Sequence, residues 1–93
     1  MARVIITFKI MPTSPEVDLD AVEAEVKKLI YAFAEEEVET KTEIEPVAFG
    51  LKAINLLFVS DEEKGTTEAL EQQVTDLEGV NSVEVTDVRR VIG

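Results

Sequence analysis

The apolar residues of this chain repeat at two different spacings, and the order in which those spacings follow one another restricts the folds open to it. Val4, Ile6, Phe8 and Ile10 recur at every second position, so Arg3–Ile10 reads as a strand with Arg3, Ile5, Thr7 and Lys9 on its other face. Met11–Val17 carries Pro12 and Pro15 and reads as a loop. The spacing then lengthens. Leu19, Val22, Val26, Leu29, Ile30 and Phe33 recur at steps of three and four, which predicts an amphipathic helix running to about Ala34. Asp18 is placed to cap it, with Asp20 and Glu23 in the first turns, where the helix dipole favours negative charge. The run Glu35–Glu37 ends the helix. Val38–Val47 is β-branched but heavily charged, and Pro46 near its end cannot donate to a ladder, so this strand belongs at a sheet edge. Ala48-Phe49-Gly50 is the turn into Leu51–Ser60. There Ile54, Leu56 and Phe58 alternate with Leu51, Ala53, Leu57 and Val59, and apolar residues on both sides predict a central strand. Asp61–Gly65 is a polar loop. Thr66 or Thr67 can cap a second helix with Ala69, Leu70, Val74 and Leu77 facing inward and Gly79 at its C′ position. Val80–Val91 reads as the last strand, with Val83 and Val85 on one face.

The order is therefore strand, helix, strand, strand, helix, strand, with no linker to divide residues 1–93 into more than one domain. With right-handed crossovers this order gives a ferredoxin-like α+β fold, a four-stranded antiparallel sheet with both helices on one face and the first and third strands central. The other face is left uncovered, carrying Ile5, Leu57 and Val59, and is more apolar than a solvated face needs.

Several functions are excluded by what the chain lacks. It has no cysteine and no histidine, which removes disulfides, thiolate metal sites and the commonest general base. The acidic runs Glu35-Glu36-Glu37 and Asp61-Glu62-Glu63 have no calcium-loop pattern and read as solubilising charge, so neither a metal nor a cofactor is expected. Gly50, Gly65, Gly79 and Gly93 are too scattered for a phosphate loop, and no nucleophile–base pair can be assembled, so no residue is assigned as catalytic. The net charge of −11 repels nucleic acid and attracts a basic protein partner. The outer faces of the first and third strands lack the stacking aromatics that RNA binding on this fold requires. No apolar run approaches the length of a membrane span, and a cytoplasmic location is expected.

Two places stand out against this background. Phe49 sits at the tip of the hairpin between Ala48 and Gly50; composition leaves open whether it folds onto the core or stands free as an interface anchor. Arg89 and Arg90 are adjacent, two of only nine basic residues, with Asp87 just before them. They either blunt an edge strand or form a cationic finger for a partner's anion or metal site.

The same two places carry a family resemblance. Along essentially its full length the chain resembles archaeal elongation factor 1-beta, and it is similar to the C-terminal exchange domain of the eukaryotic elongation factor 1-beta subunits. The matching stretches are Phe8-Lys9-Ile10-Met11-Pro12 with Ser14-Pro15-Glu16-Val17-Asp18, then Pro46-Val47-Ala48-Phe49-Gly50-Leu51-Lys52-Ala53, and Val83-Glu84-Val85-Thr86-Asp87-Val88-Arg89-Arg90. The resemblance implies a guanine nucleotide exchange factor for the GTPase elongation factor 1-alpha, with Phe49, Gly50, Asp87, Arg89 and Arg90 as the partner-binding residues. It implies that Phe49 contacts the second domain of the GTPase and that the position of Arg90 reaches toward its Mg²⁺ and phosphate site. Eukaryotic members have a penultimate lysine there; this chain has Arg90, followed by three further residues. Two other readings of the architecture are a small-molecule regulatory module that dimerises through the open sheet face and an assembly subunit that binds without promoting exchange.

Overall fold

The computed structural model describes residues 3–61 and 67–91, and within them the periodicities become the expected elements: β1 (Arg3–Pro12), α1 (Leu19–Ala34), β2 (Thr40–Pro46), β3 (Lys52–Asp61), α2 (Glu68–Thr75) and β4 (Val80–Val91). The four strands form one antiparallel sheet in the order β2-β3-β1-β4, so β1 and β3 are central. The fold is ferredoxin-like α+β.

Each central strand sends alternate residues beneath the helices. Ile6, Phe8 and Ile10 of β1 and Ile54, Leu56 and Phe58 of β3 are buried there, and the Phe8 and Phe58 rings meet edge to face at 5.0 Å. α1 lays Val22, Val26 and Ile30 on this layer, and α2 adds Leu70 and Val74. Asp18 caps α1 as expected, its Oδ1 accepting from the amides of Asp20 (3.1 Å) and Ala21 (3.3 Å).

Several boundaries move. β1 continues through Pro12, which opposes Val80 at the strand's end, where a missing N–H costs little. α2 stops at Thr75, so Leu77 lies beyond the helix and packs on the core from the following turn, while Ala69 is exposed. Thr67 stands at the N-cap position of α2 without capping an amide; its hydroxyl donates to Glu71 Oε2 at 3.0 Å. Thr66, and the Glu62–Gly65 part of the preceding loop, lie outside the described residues.

Gly79 is not the C′ residue of α2 but the last step into β4. It has φ +90°, its carbonyl accepts from the Thr13 amide at 2.9 Å, and a Cβ on it would lie 3.0 Å from Val17 Cγ1. Gly79→Ala therefore combines left-handed strain with a close contact, and should lower the unfolding free energy by about 1–2 kcal/mol in urea titrations. An unchanged midpoint would show that the turn relaxes freely.

Among the described residues no helix lies over the second face of the sheet. Ile5, Leu57 and Val59 are half-buried there, bordered by Glu39 and Lys41 of the β2 edge around a shallow hollow. Thus the open face is less apolar at its surface than its sequence suggests: the long side chains beside it cover part of the stripe.

Candidate functional site

Two ends of one sheet carry the residues that composition leaves ambiguous. At the first, β2 and β3 are joined by a tight left-handed turn. Phe49 (φ 62°, ψ 29°) and Gly50 (φ 76°) occupy its centre, and the Leu51 amide donates to the Ala48 carbonyl at 3.2 Å. Positive φ at both central positions is what a type I′ hairpin turn demands, and Asn-Gly is the usual solution. Phenylalanine at the first of them is strained by roughly 1–2 kcal/mol, because its Cβ crowds the following carbonyl.

That strain is not offset by packing. Phe49 is 93% exposed, more than any other large apolar residue described. A Cβ on Gly50 would lie 4.0 Å from Pro15 Cγ, so the turn sits beside the β1–α1 loop. Between them runs a hollow of about 350 Å³ lined by Pro12, Pro15, Leu19, Gly50 and Lys52. The ambiguity over Phe49 is thereby resolved: it stands free, held by a turn whose geometry is fixed.

At the second end β4 runs antiparallel to β1, and the ladder contains an irregularity. Phe8 opposes Val85, but its neighbour Thr7 opposes Asp87, so Thr86 is an extra residue in β4. Because side chains alternate, one extra residue exchanges the faces of everything after it. Val83 and Val85 face the helices opposite Ile10 and Phe8; beyond the bulge Val88 and Arg90 take that side, while Asp87 and Arg89 pass to the open side. Val88, on the edge strand β4, is 58% exposed. Asp87 accepts from Arg89 Nε at 2.8 Å, which orients the guanidinium along the strand. Arg90 opposes Val4 at the outermost part of β4 and is exposed.

Phe49 and Arg90 are thus at opposite ends. Arg90 is level with Val4 of β1 and Ile54 is level with Ile10, with Phe49 further on around the turn. At about 3.3 Å per strand residue the two side chains are separated by roughly 30 Å. No single pocket of this domain can contain both. Of the five residues singled out in the sequence, Phe49 and Gly50 form one end and Asp87, Arg89 and Arg90 the other. Arg3 was missed; it opposes Val91 at the same end as Arg89 and Arg90. Its signal was its residue type, but only the register of β1 on β4 reveals the proximity.

The exposed aromatic on its left-handed turn and the arginine-bearing strand end lie at opposite ends of one sheet and share no pocket among the described residues. The chain belongs to the family of EF-1 guanine nucleotide exchange domains, whose model matches residues 5–91. It is a nucleotide exchange domain of translation elongation. Among its relatives, elongation factor 1-beta of Methanobrevibacter smithii is 46% identical over 99% of this chain and 100% of the relative. Elongation factor 1-beta of Methanothermobacter thermautotrophicus is 44% identical over the same shares, and that of Staphylothermus marinus is 40% identical over 98% of this chain and 99% of the relative.

Among the described residues no helix is long and apolar enough to cross a membrane, and no three acidic side chains converge to hold a metal ion.

Proposed function

We propose that the domain spanning residues 1–93 promotes GDP release and GTP loading on elongation factor 1-alpha, with Phe49 docking on one part of the GTPase and Arg90 reaching the metal and phosphate site of another. The observation that carries this reading is the 93% exposure of Phe49 on a turn that fixes its direction, within a family defined by nucleotide exchange. Phe49, with Gly50 beside it, supplies binding energy that does not depend on the nucleotide. Arg90, with Arg89 and Asp87 beside it, supplies the part that does.

The physics of exchange matches that division. GDP is held chiefly through its phosphates and their Mg²⁺, so a guanidinium that competes for those charges loosens it. Coupling is reciprocal: the free energy by which the factor weakens GDP is the free energy by which it binds the nucleotide-free GTPase more tightly. About 1.4 kcal/mol of coupling lowers nucleotide affinity about tenfold. GTP then enters because it is more abundant. No bond of this domain forms or breaks, and the activity belongs in the cytoplasm, where elongation runs. Its acidic body hastens encounter with a GTPase whose tRNA-binding surfaces are basic, an effect that salt weakens.

Release of fluorescently labelled GDP from elongation factor 1-alpha tests the reading. Acceleration that saturates with added domain supports it, and no acceleration at several-fold excess removes it.

A further inference from the structure

The two edge strands carry opposite charges in matching order on the open face. The Val59 amide donates to the Glu39 carbonyl at 3.3 Å, and Ile5 opposes both Val59 and Arg89, so Glu39 and Arg89 end one row across the sheet. Lys41, Leu57, Thr7 and Asp87 make the next row. Each row has an uncharged middle and one charge of each sign at its ends, and the signs are exchanged from one row to the next. β4 has this pattern only because of the extra residue at Thr86. Without it Val88 and Arg90 would face this side in place of Asp87 and Arg89.

We infer that the open face docks a second copy of the domain, in a two-fold pair stacked sheet on sheet. A two-fold axis along the strands, midway between β1 and β3, lays β3 over β1 and β2 over β4 of the other copy, with the rows level. Glu39 then meets Arg89 of the other copy and Lys41 meets its Asp87, and the symmetry repeats both pairs at the opposite edge. Ile5, Leu57 and Val59 close on their counterparts across the axis. Stacked sheets lie about 10 Å apart, a gap that these long charged side chains span from the two sides. The pairing inside each copy is retained. Arg89 keeps its 2.8 Å contact with Asp87, and both remain exposed enough to take a second opposite charge. The charges at each edge thus form a checkerboard, each with an opposite neighbour along its own strand and another across the gap. The hollow of about 210 Å³ beside Lys41 receives the aliphatic stem of the other copy's Arg89.

The pair is weak and transient. The next row sets Glu43 over Glu84, so complementarity ends after two rows. Two rows of four residues fall well short of the roughly 20–30 residues a side of a stable interface. Two bodies of charge −11 also repel, although at physiological salt the Debye length of about 8 Å screens the bodies more than side chains in contact. A Kd of about 0.1–1 mM is expected. Self-association needs no GTPase, and its presence or absence leaves the exchange reading untouched.

The test is sedimentation equilibrium of the full chain up to about 2 mM at about 0.15 M salt, with amide shifts followed over the same dilution series. Wild type is expected to dimerise as concentration rises, with the shifts gathered at Ile5, Leu57 and Arg89. Lys41→Glu and Asp87→Lys, both at exposed edge positions, should each weaken the dimer about tenfold, and the double variant should recover it. Thermal melts confirm that each variant folds. Asp87→Lys makes the chain less negative and the double variant keeps the net charge of −11, so net charge alone would have Asp87→Lys associate more tightly. That result overturns the inference. So does a wild type that stays monomeric throughout, and so do shifts centred on the Phe49 turn, which would put the contact elsewhere. A double variant as weak as the single ones refutes the pairing of Lys41 with Asp87 and the two-fold arrangement with it.

Discussion

Phe49→Ala weakens the complex with elongation factor 1-alpha by about 2 kcal/mol or more, roughly thirtyfold in Kd, because an exposed aromatic at the tip of a fixed turn has the properties of an interface anchor. Its own fold scarcely notices the loss, since the ring is 93% exposed and packs on little. A second substitution makes the prediction sharper. Phe49→Asn puts a residue that tolerates left-handed backbone at a position where φ is 62°, so the isolated domain becomes more stable by about 0.5–1 kcal/mol while docking is lost. Stability and binding thus move in opposite directions from one position. Isothermal titration and urea unfolding of the same preparations read both. Undiminished affinity in the alanine variant would take Phe49 out of the interface, and a less stable asparagine variant would show that the turn is not strained as its dihedral angles indicate.

Arg90→Ala separates the other function. The saturated rate of GDP release falls about ten- to a hundredfold, the scale of a coupling free energy of about 1.4–3 kcal/mol, whereas affinity for the GDP-bound GTPase changes little because Phe49 still docks, and only affinity for the nucleotide-free form falls with the lost coupling. Stopped-flow release at saturating domain distinguishes this from a simple loss of binding, which more domain would repair. Arg90→Lys retains part of the rate, since the charge remains while the fork geometry is lost. If alanine at position 90 exchanges nucleotide as fast as wild type, the cationic role passes to Arg89 or leaves this end entirely.

How far the sequence reveals these features depends on whether each is set locally. The strand Val4-Ile6-Phe8-Ile10 and the cap at Asp18 are local patterns, and they appear in the structure where the residues place them. The exposure of Phe49 is not local. Composition treats a phenylalanine as core material, and nothing in Ala48-Phe49-Gly50 announces a left-handed turn, because the residue that usually marks one, asparagine, is absent. The bulge at Thr86 is harder to read: an extra residue exists only relative to the partner strand, and its one trace in the sequence is the change of apolar phase from Val83 and Val85 to Val88. Arg3 is hidden for the same reason, its position beside Val91 arising from a pairing with the far end of the chain. Leu77 was apolar and inward, as the spacing suggested, yet the helix had already ended at Thr75.

The separation of Phe49 from Arg90 has a mechanical consequence for the proposed complex. A sheet hydrogen-bonded across four strands does not stretch, so in the proposed complex Phe49 and Arg90 would be the jaws of a calliper set at one opening. Two contacts joined by a stiff bar reinforce each other only while the partner's two receptor points match that opening, since a mismatched rigid link loses the gain in effective concentration altogether. A GTPase that alters the spacing of its domains when it takes up nucleotide would therefore slip one jaw and lose the extra affinity that the pair supplies. Stiffness, in this view, is what allows a tightly held partner to be let go.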